Sequence, residues 1–221
     1  SVTLTATDEI WSVTGSALTT ALADGVFLAD TLTVTDIVAD DEAAAITAYT
    51  PTLTGATSVT LASSDTTWSV AATDLDAALT AKVRLTGDLT VTGIETETNA
   101  STTYSTANTS ASSVTLTASD GSWSIATGAL DADLNNGIKY AGDLTVTGIA
   151  SANEDAALTN YKTARTGADT NMLTAADGVW AAGAAELTAA INSGVRFAGA
   201  VVVSTQPTLA QLVIINNATD G

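Results

Sequence analysis

A tryptophan recurs at a nearly constant interval along this chain of 221 residues, and this repeat constrains the fold more than any other feature. The four tryptophans are separated by 57, 55 and 57 residues, at Trp11, Trp68, Trp123 and Trp180. Regular self-similarity of this kind is typical of repeat proteins, whose units bury their apolar faces against neighbouring units. The sequence therefore predicts one continuous array over residues 1–221, made of repeats 1–57, 58–112, 113–169 and 170–221.

Each repeat contains two related halves. The stretch Val114-Thr-Leu-Thr-Ala118 is echoed thirty residues later by Leu144-Thr-Val-Thr-Gly148. Alternation of apolar residues with threonine predicts a β-strand in both stretches. Leucines four residues apart follow the tryptophan, as at Leu75 and Leu79, and predict a short helix.

A glycine three residues beyond the second leucine, or the isoleucine in its place, predicts a helix end with left-handed backbone. Gly25, Gly137 and Gly194 occupy this position, and Lys82 takes it in the second repeat. The pattern of strand, turn and short helix therefore returns about every 28–30 residues.

This pattern predicts a β-rich repeat protein, specifically a β-solenoid of parallel strands with short helical connections. Two coils of about 28–30 residues would make up each repeat of 55–57 residues. The alternative is a row of four small β-rich domains. Each would contain about 56 residues, close to the lower limit for an independent core, and this favours the solenoid.

The two ends of the array predict a means of assembly. The last repeat replaces the threonine alternation by Ala200-Val-Val-Val203 and continues into the apolar residues Leu212, Val213, Ile214 and Ile215. Either this segment is a capping coil, or it is a strand that pairs with the next molecule. The first repeat begins with a consensus strand containing Val2 and Leu4, which predicts an unpaired edge. We therefore expect a piece of a longer array or a chain that polymerises end to end.

An aspartate stands three residues before each tryptophan, at Asp8, Asp65, Asp120 and Asp177. One interpretation is a ladder of calcium sites, because calcium prefers several carboxylate and carbonyl oxygens. The other is an aspartate that caps its own turn, which is the common role of this residue in loops. Calcium is thus the candidate metal, and no cofactor is required.

Two further columns have both a binding and a structural interpretation. A tryptophan column would bind a glycan by stacking on sugar rings if it is exposed, or it packs between strand and helix. Threonines between the apolar strand residues predict two outward ranks, similar to those of ice-binding β-solenoids, or a solvated β face. The ranks are Thr3/Thr5, Thr33/Thr35, Thr90/Thr92, Thr115/Thr117 and Thr145/Thr147.

The composition excludes several classes of function. The chain has no cysteine and no histidine, which rules out disulfides, zinc sites with these ligands, and Ser-His-Asp or Cys-His catalysis. Its 24 acidic and 6 basic residues give a net charge of −18, which repels nucleic acid. No apolar run approaches the roughly 20 residues of a membrane-spanning helix. We therefore predict no enzyme, no nucleic-acid partner and no membrane insertion.

In composition, and in units such as Leu89-Thr-Val-Thr-Gly-Ile94, the chain resembles the Thr-, Ala- and Asp-rich tandem repeats of large bacterial cell-surface proteins. These include S-layer subunits, giant adhesins and surface filaments. The resemblance implies an extracellular or cell-surface location, calcium, and association with itself or with flanking repeats of a longer chain. The expected function is a non-enzymatic structural protein that assembles end to end into a filament or surface layer. The alternative is a module that binds ice or a glycan through the threonine ranks or the tryptophan column.

Overall fold

The computed structural model describes residues 1–220, which divide into two compact bodies. The N-terminal body is Ser1–Leu116 and the C-terminal body is Thr117–Gly221. Each body contains about two of the sequence repeats. That the repeats form one continuous array stays a prediction.

Strands and helices alternate along the N-terminal body. Its strands are β1 (Val2–Leu4), β2 (Ile10–Thr14), β3 (Val26–Leu28), β4 (Thr31–Ile37), β5 (Ser58–Ala71) and β6 (Val83–Ile94). Its helices are α1 (Gly15–Ala23), α2 (Glu42–Ala48), α3 (Pro51–Thr54), α4 (Ala72–Thr80), α5 (Ala100–Thr103) and α6 (Thr106–Thr109). Strand β7 (Ser113–Ala126) crosses the boundary between the two bodies.

The C-terminal body repeats this alternation. Its further strands are β8 (Ile138–Ile149), β9 (Thr170–Ala182), β10 (Val195–Val203) and β11 (Thr219–Asp220). Its helices are α7 (Thr127–Asn135), α8 (Glu154–Asn160), α9 (Thr163–Thr166), α10 (Ala184–Ile191) and α11 (Leu209–Asn216). Short 3₁₀ turns, Ala39–Asp41 and Ser151–Asn153, precede α2 and α8.

The strands in each body pair in parallel and in chain order. In the N-terminal body the order is β2-β4-β5-β6, with β1 and β3 as a separate parallel pair. In the C-terminal body the order is β8-β9-β10-β11. Parallel neighbours need a crossover connection, and the helices between successive strands provide it.

The fold is α/β with an open, curled parallel sheet, and the predicted β-solenoid is wrong. A solenoid coil would turn through several short strands on different faces. Here each half-repeat inside the chain contributes one long strand, such as β5 with 14 residues and β6 with 12, and helices return the chain. The sequence pattern breaks at the Asp-x-x-Trp segment, but β5 continues through it by a bulge. On its far side Trp68 pairs with Leu89 and Val70 with Val91.

The core lies between the sheet and the helices. Alternate strand residues are fully buried, including Val59 and Leu61 in β5 and Leu89 and Val91 in β6. This confirms the predicted alternation. The first leucine of each helical pair is also buried, at Leu18, Leu75, Leu130 and Leu187.

The predicted left-handed helix ends are confirmed. Gly25, Gly137 and Gly194 have φ values of 76°, 77° and 84°, and Lys82 adopts the same conformation at 62°. Within residues 1–220 no helix is long and apolar enough to cross a membrane.

Candidate functional site

Each predicted aspartate lies at a turn ahead of the tryptophan; the turn of Asp8 precedes β2, whereas the other three turns lie inside β5, β7 and β9. Its Oδ1 accepts the backbone N–H two residues later, at distances from 3.0 to 3.4 Å. The residue between donor and acceptor has positive φ, at Glu9, Thr66, Gly121 and Gly178. The four equivalent turns therefore share one structure, in which the aspartate replaces a missing backbone acceptor.

Hydrogen bonds stabilise the charged form of three of these carboxylates. The Ser63 hydroxyl, 2.6 Å from Asp65, lowers the pKa of Asp65 below its ordinary value, and the Thr67 N–H adds to this. The Ser122 N–H lowers the pKa of Asp120. For Asp177, the Ser151 hydroxyl lowers the pKa first and the Val179 N–H second.

A metal ion is bound by several donor atoms at one place, whereas each of the four turns contributes a single aspartate carboxylate. Among residues 1–220 no group of three or more acidic side chains is placed to hold a metal ion. Turn capping accounts for the contacts of Asp8, Asp65, Asp120 and Asp177. The calcium ladder stays a prediction without a coordination geometry behind it.

The tryptophan column packs between sheet and helices. Trp68, Trp123 and Trp180 are at most 2% exposed. The indole N–H of Trp68 donates to the Thr86 carbonyl at 2.9 Å, and that of Trp123 donates to the Ala141 carbonyl at 3.1 Å. These three rings are not exposed to stack on a sugar.

The threonines of the ranks alternate with the core residues along the strands; Thr3 and Thr5 are exposed, and the other eight are half-buried. The ranks of threonines are interrupted where a threonine pairs with a residue of another type on the neighbouring strand. Thr33 lies opposite Thr60, but Thr90 lies opposite Ser69 and Thr145 opposite Met172. Three hydroxyls also bond to carbonyls of the adjacent strand, at Thr35, Thr86 and Thr92.

A tyrosine recurs in each of the first three repeats and closes a groove between two helices. Tyr49, Tyr104 and Tyr161 are separated by 55 and 57 residues, the spacing of the tryptophans. The corresponding grooves have volumes of about 300, 240 and 350 Å³. The regular spacing of these tyrosines is the sequence signal for a shared role.

The tyrosine hydroxyl joins the two helices that flank each groove. The Tyr49 hydroxyl lies 2.9 Å from the Thr19 hydroxyl and donates to the Gly15 carbonyl at 3.0 Å. Tyr104 bonds to Asp76, and Tyr161 to Asp131. Burial, with the nearby carboxylate, raises the pKa of Tyr104 and Tyr161 to about 12.

Two buried glutamates were missed from the sequence. Glu42 and Glu154 are 6% and 3% exposed. The Glu42 Oε2 accepts the Ser69 N–H at 3.0 Å, and the Glu154 Oε2 accepts the Ala181 N–H at 2.8 Å. Strand β4 ends at Ile37, so the second half of β5 has lost this neighbour and its edge N–H bonds to a side chain instead. The spacing from tryptophan to glutamate, 31 residues in both repeats, was the available signal.

The predicted assembly residues Val2 and Leu4 occupy positions that are buried in the next repeat, but they are themselves exposed. Val2 is 56% exposed and Leu4 is 42% exposed. Their counterparts Val59 and Leu61, 57 residues later, are fully buried. The predicted unpaired edge is present: within the described residues, β1 pairs only with β3.

The assembly residues at the other end are helical, so the predicted joining strand is wrong. Leu212, Val213, Ile214 and Ile215 lie in α11. A capping box starts this helix: the Thr208 hydroxyl accepts the Gln211 N–H, and the Gln211 side chain accepts the Thr208 N–H. A short apolar run does not distinguish strand from helix, whereas the Thr-x-x-Gln signature ahead of it does. Ile215 is buried, while Leu212 and Val213 remain 44% and 53% exposed.

No protein-family profile, no curated protein and no solved structure matches this chain.

Proposed function

We propose that this chain is a non-enzymatic structural repeat protein of the cell surface or extracellular space, which associates end to end into a filament or surface layer. Its partner is a further copy of the same repeat, supplied by a second chain or by flanking repeats of a longer one. Calcium is a candidate ligand in this proposal, and a glycan is a candidate partner.

The observation that carries the proposal is the exposure of consensus core residues in the first repeat. Val2 and Leu4 are half exposed, although the same positions are fully buried in the repeats that follow. Exposed apolar residues on a parallel strand with one unpaired edge favour the addition of another strand. Ile10 of edge strand β2 is a third such residue, at 57% exposure.

The polar chemistry of the molecule supports a structural role. The buried polar side chains complete the fold: Glu42 and Glu154 bond to strand N–H groups. Thr54 and Thr109, which are fully buried, each bond within their own turn. An acidic surface with net charge −18 also favours a hydrated, soluble surface in salt water.

Electron microscopy and sedimentation velocity of the purified chain over a range of concentrations test this function. We expect rods that lengthen with concentration, with and without millimolar calcium. A chain that stays monomeric up to the highest soluble concentration in both conditions contradicts self-association.

A further inference from the structure

The same parallel pairing between two strands, which we call the strand joint, occurs in both bodies of the chain. In the N-terminal body Leu32 pairs with Val59 and Val34 with Leu61. In the C-terminal body Leu144 pairs with Asn171 and Val146 with Leu173. In both joints the two strands are parallel. Strand β4 lies beside the first half of β5, and β8 lies beside the first half of β9. This is an established interface of the fold, and it uses the same sequence positions each time.

Strand β10 contains the residues that form the first strand of this joint, but within residues 1–220 no following strand pairs with them. Val201 and Val203 stand 57 residues after Leu144 and Val146 and so occupy the same positions of the repeat. Leu144 and Val146 are 1% and 0% exposed, whereas Val201 and Val203 are only half-buried. Val202 between them is 52% exposed.

The only described neighbour on that edge of β10 covers another part of it. Strand β11 pairs with Phe197 and Ala198 and contacts no residue further along β10 in the register. On the opposite edge, Val201 to Val203 pair with β9. Within residues 1–220, the segment Ala200–Val203 therefore has an edge that accepts one more parallel strand.

Strand β1 carries the other side of the joint. Val2 and Leu4 stand 57 residues before Val59 and Leu61, the residues that pair with Leu32 and Val34. Only β3 pairs with β1 within the described residues, and the edge that would face a preceding strand is open.

We propose that β10 of one copy pairs in parallel with β1 of a second copy, in the register Val201↔Val2, Val202↔Thr3 and Val203↔Leu4. This inference rests on the proposed self-association and specifies its interface. The register is that of the internal joints, so the apolar side chains of Val2 and Leu4 continue the core behind Val201 and Val203. A head-to-tail joint of this kind uses different surfaces on the two copies and therefore builds open filaments.

Engineered cysteine pairs test the register, because the chain has no cysteine of its own. Thr3→Cys combined with Val202→Cys places the two cysteine Cα atoms on neighbouring strands about 4.8 Å apart, within the Cα–Cα range of a disulfide. Under mild oxidation we expect a ladder of disulfide-linked oligomers that disappears on reduction. Circular dichroism of each variant establishes that it is folded.

The matched control moves one cysteine by two residues on the same strand face. Thr3→Cys combined with Ala200→Cys shifts the two Cα atoms by ~6.6 Å along the strand, beyond the Cα–Cα range of a disulfide in the proposed register. We expect at least a tenfold slower build-up of its ladder. Each single variant forms dimers at most.

The outcomes separate the joint from the proposed function. A ladder specific to the Thr3/Val202 pair supports the joint. Equal ladders from both pairs, or none from either, overturn the joint if the unaltered chain still associates in sedimentation. If the unaltered chain is monomeric throughout, the proposed function fails and the joint fails with it.

Discussion

At the residue scale, left-handed backbone sets the turns of every repeat. Glycine adopts this conformation without a steric penalty, whereas a residue with a Cβ atom pays about 1–2 kcal/mol. Several non-glycine residues nevertheless adopt it, among them Thr66, Lys82 and Ser110. These positions are the clearest targets for changing stability without touching the core.

Lys82→Gly should stabilise the protein. Lys82 has φ of 62° where three other repeats have glycine, so the substitution removes a backbone penalty. We expect the free energy of unfolding to rise by about 0.5–1 kcal/mol, since added freedom in the unfolded chain offsets part of the gain. Urea denaturation measures it. Gly137→Ala, at the equivalent turn, should shift stability in the opposite direction, and a loss of stability in Lys82→Gly would contradict the turn argument.

Asp65→Asn should weaken the pH dependence of stability. The lowered pKa of Asp65 means that its charge stabilises the fold above the ordinary value of 3.8, and this contribution is lost as the pH falls through the folded pKa. Asparagine retains the Oδ1 acceptor but has no charge to lose. We therefore expect the stability gap between the two proteins to be larger at pH 7 than at pH 3, measured by urea denaturation.

The turn itself is tested by a second variant at the same position. Asp65→Ala removes the acceptor for the Thr67 N–H as well as the charge, so it should be less stable than Asp65→Asn at both pH values. Identical pH profiles for the unaltered chain and Asp65→Asn would show that the charge of Asp65 does not contribute.

At the element scale, neighbouring strands are staggered, so part of a strand edge has no neighbouring strand. Side chains accept the backbone N–H groups that the stagger leaves without a strand partner. The second half of β5 has Glu42 at its edge, and the second half of β9 has Glu154. Sequence alternation predicted strand residues such as Val59 and Leu61 correctly, but it contains no information about where a neighbouring strand ends. The spacing from tryptophan marks the two glutamates in the sequence, whereas their structural role became clear only from the strand pairing.

Glu154→Ala should destabilise the protein by about 1–3 kcal/mol, because the Ala181 N–H loses a buried acceptor. Glu154→Gln keeps an oxygen acceptor and should lose less. Thermal and urea unfolding measure both changes. Asp155→Ala, an exposed neighbour in the same helical turn, serves as control and should change stability by at most about 0.5 kcal/mol. Equal losses at the two positions would contradict the edge-capping role of Glu154.

At the scale of the whole molecule, charge opposes association. Each chain carries a net charge of −18. Arg165 and Asp131 form an ion pair at 3.8 Å, but the negative charge of the chain remains largely unbalanced. Two copies that approach each other therefore repel until salt screens their charge, over about 10 Å at 0.1 M ionic strength.

Self-association should consequently strengthen with salt. We expect the average sedimentation coefficient at fixed protein concentration to rise between 0.02 and about 0.5 M NaCl, as the Debye length falls from about 20 to about 4 Å. Calcium chloride at matched ionic strength separates screening from specific binding: equal effects indicate screening alone. Association that weakens with added NaCl would contradict an apolar joint opposed by repulsion.

The sequence by itself determined the repeat, the buried face of each strand, the helix that follows the tryptophan and the left-handed residue that ends it. These features depend on residues a few positions apart, so local pattern is sufficient. The tertiary structure alone decided that β5 runs through the Asp65 turn, that the long strands within each body pair in parallel with their neighbours, and that buried glutamates complete strand edges. Each of these depends on which strand lies alongside, more than twenty residues away in the chain. At Leu212 the sequence was interpreted as a capping coil or a strand, and the structure has a helix that begins after the Thr208 cap, because a short apolar run does not distinguish strand from helix.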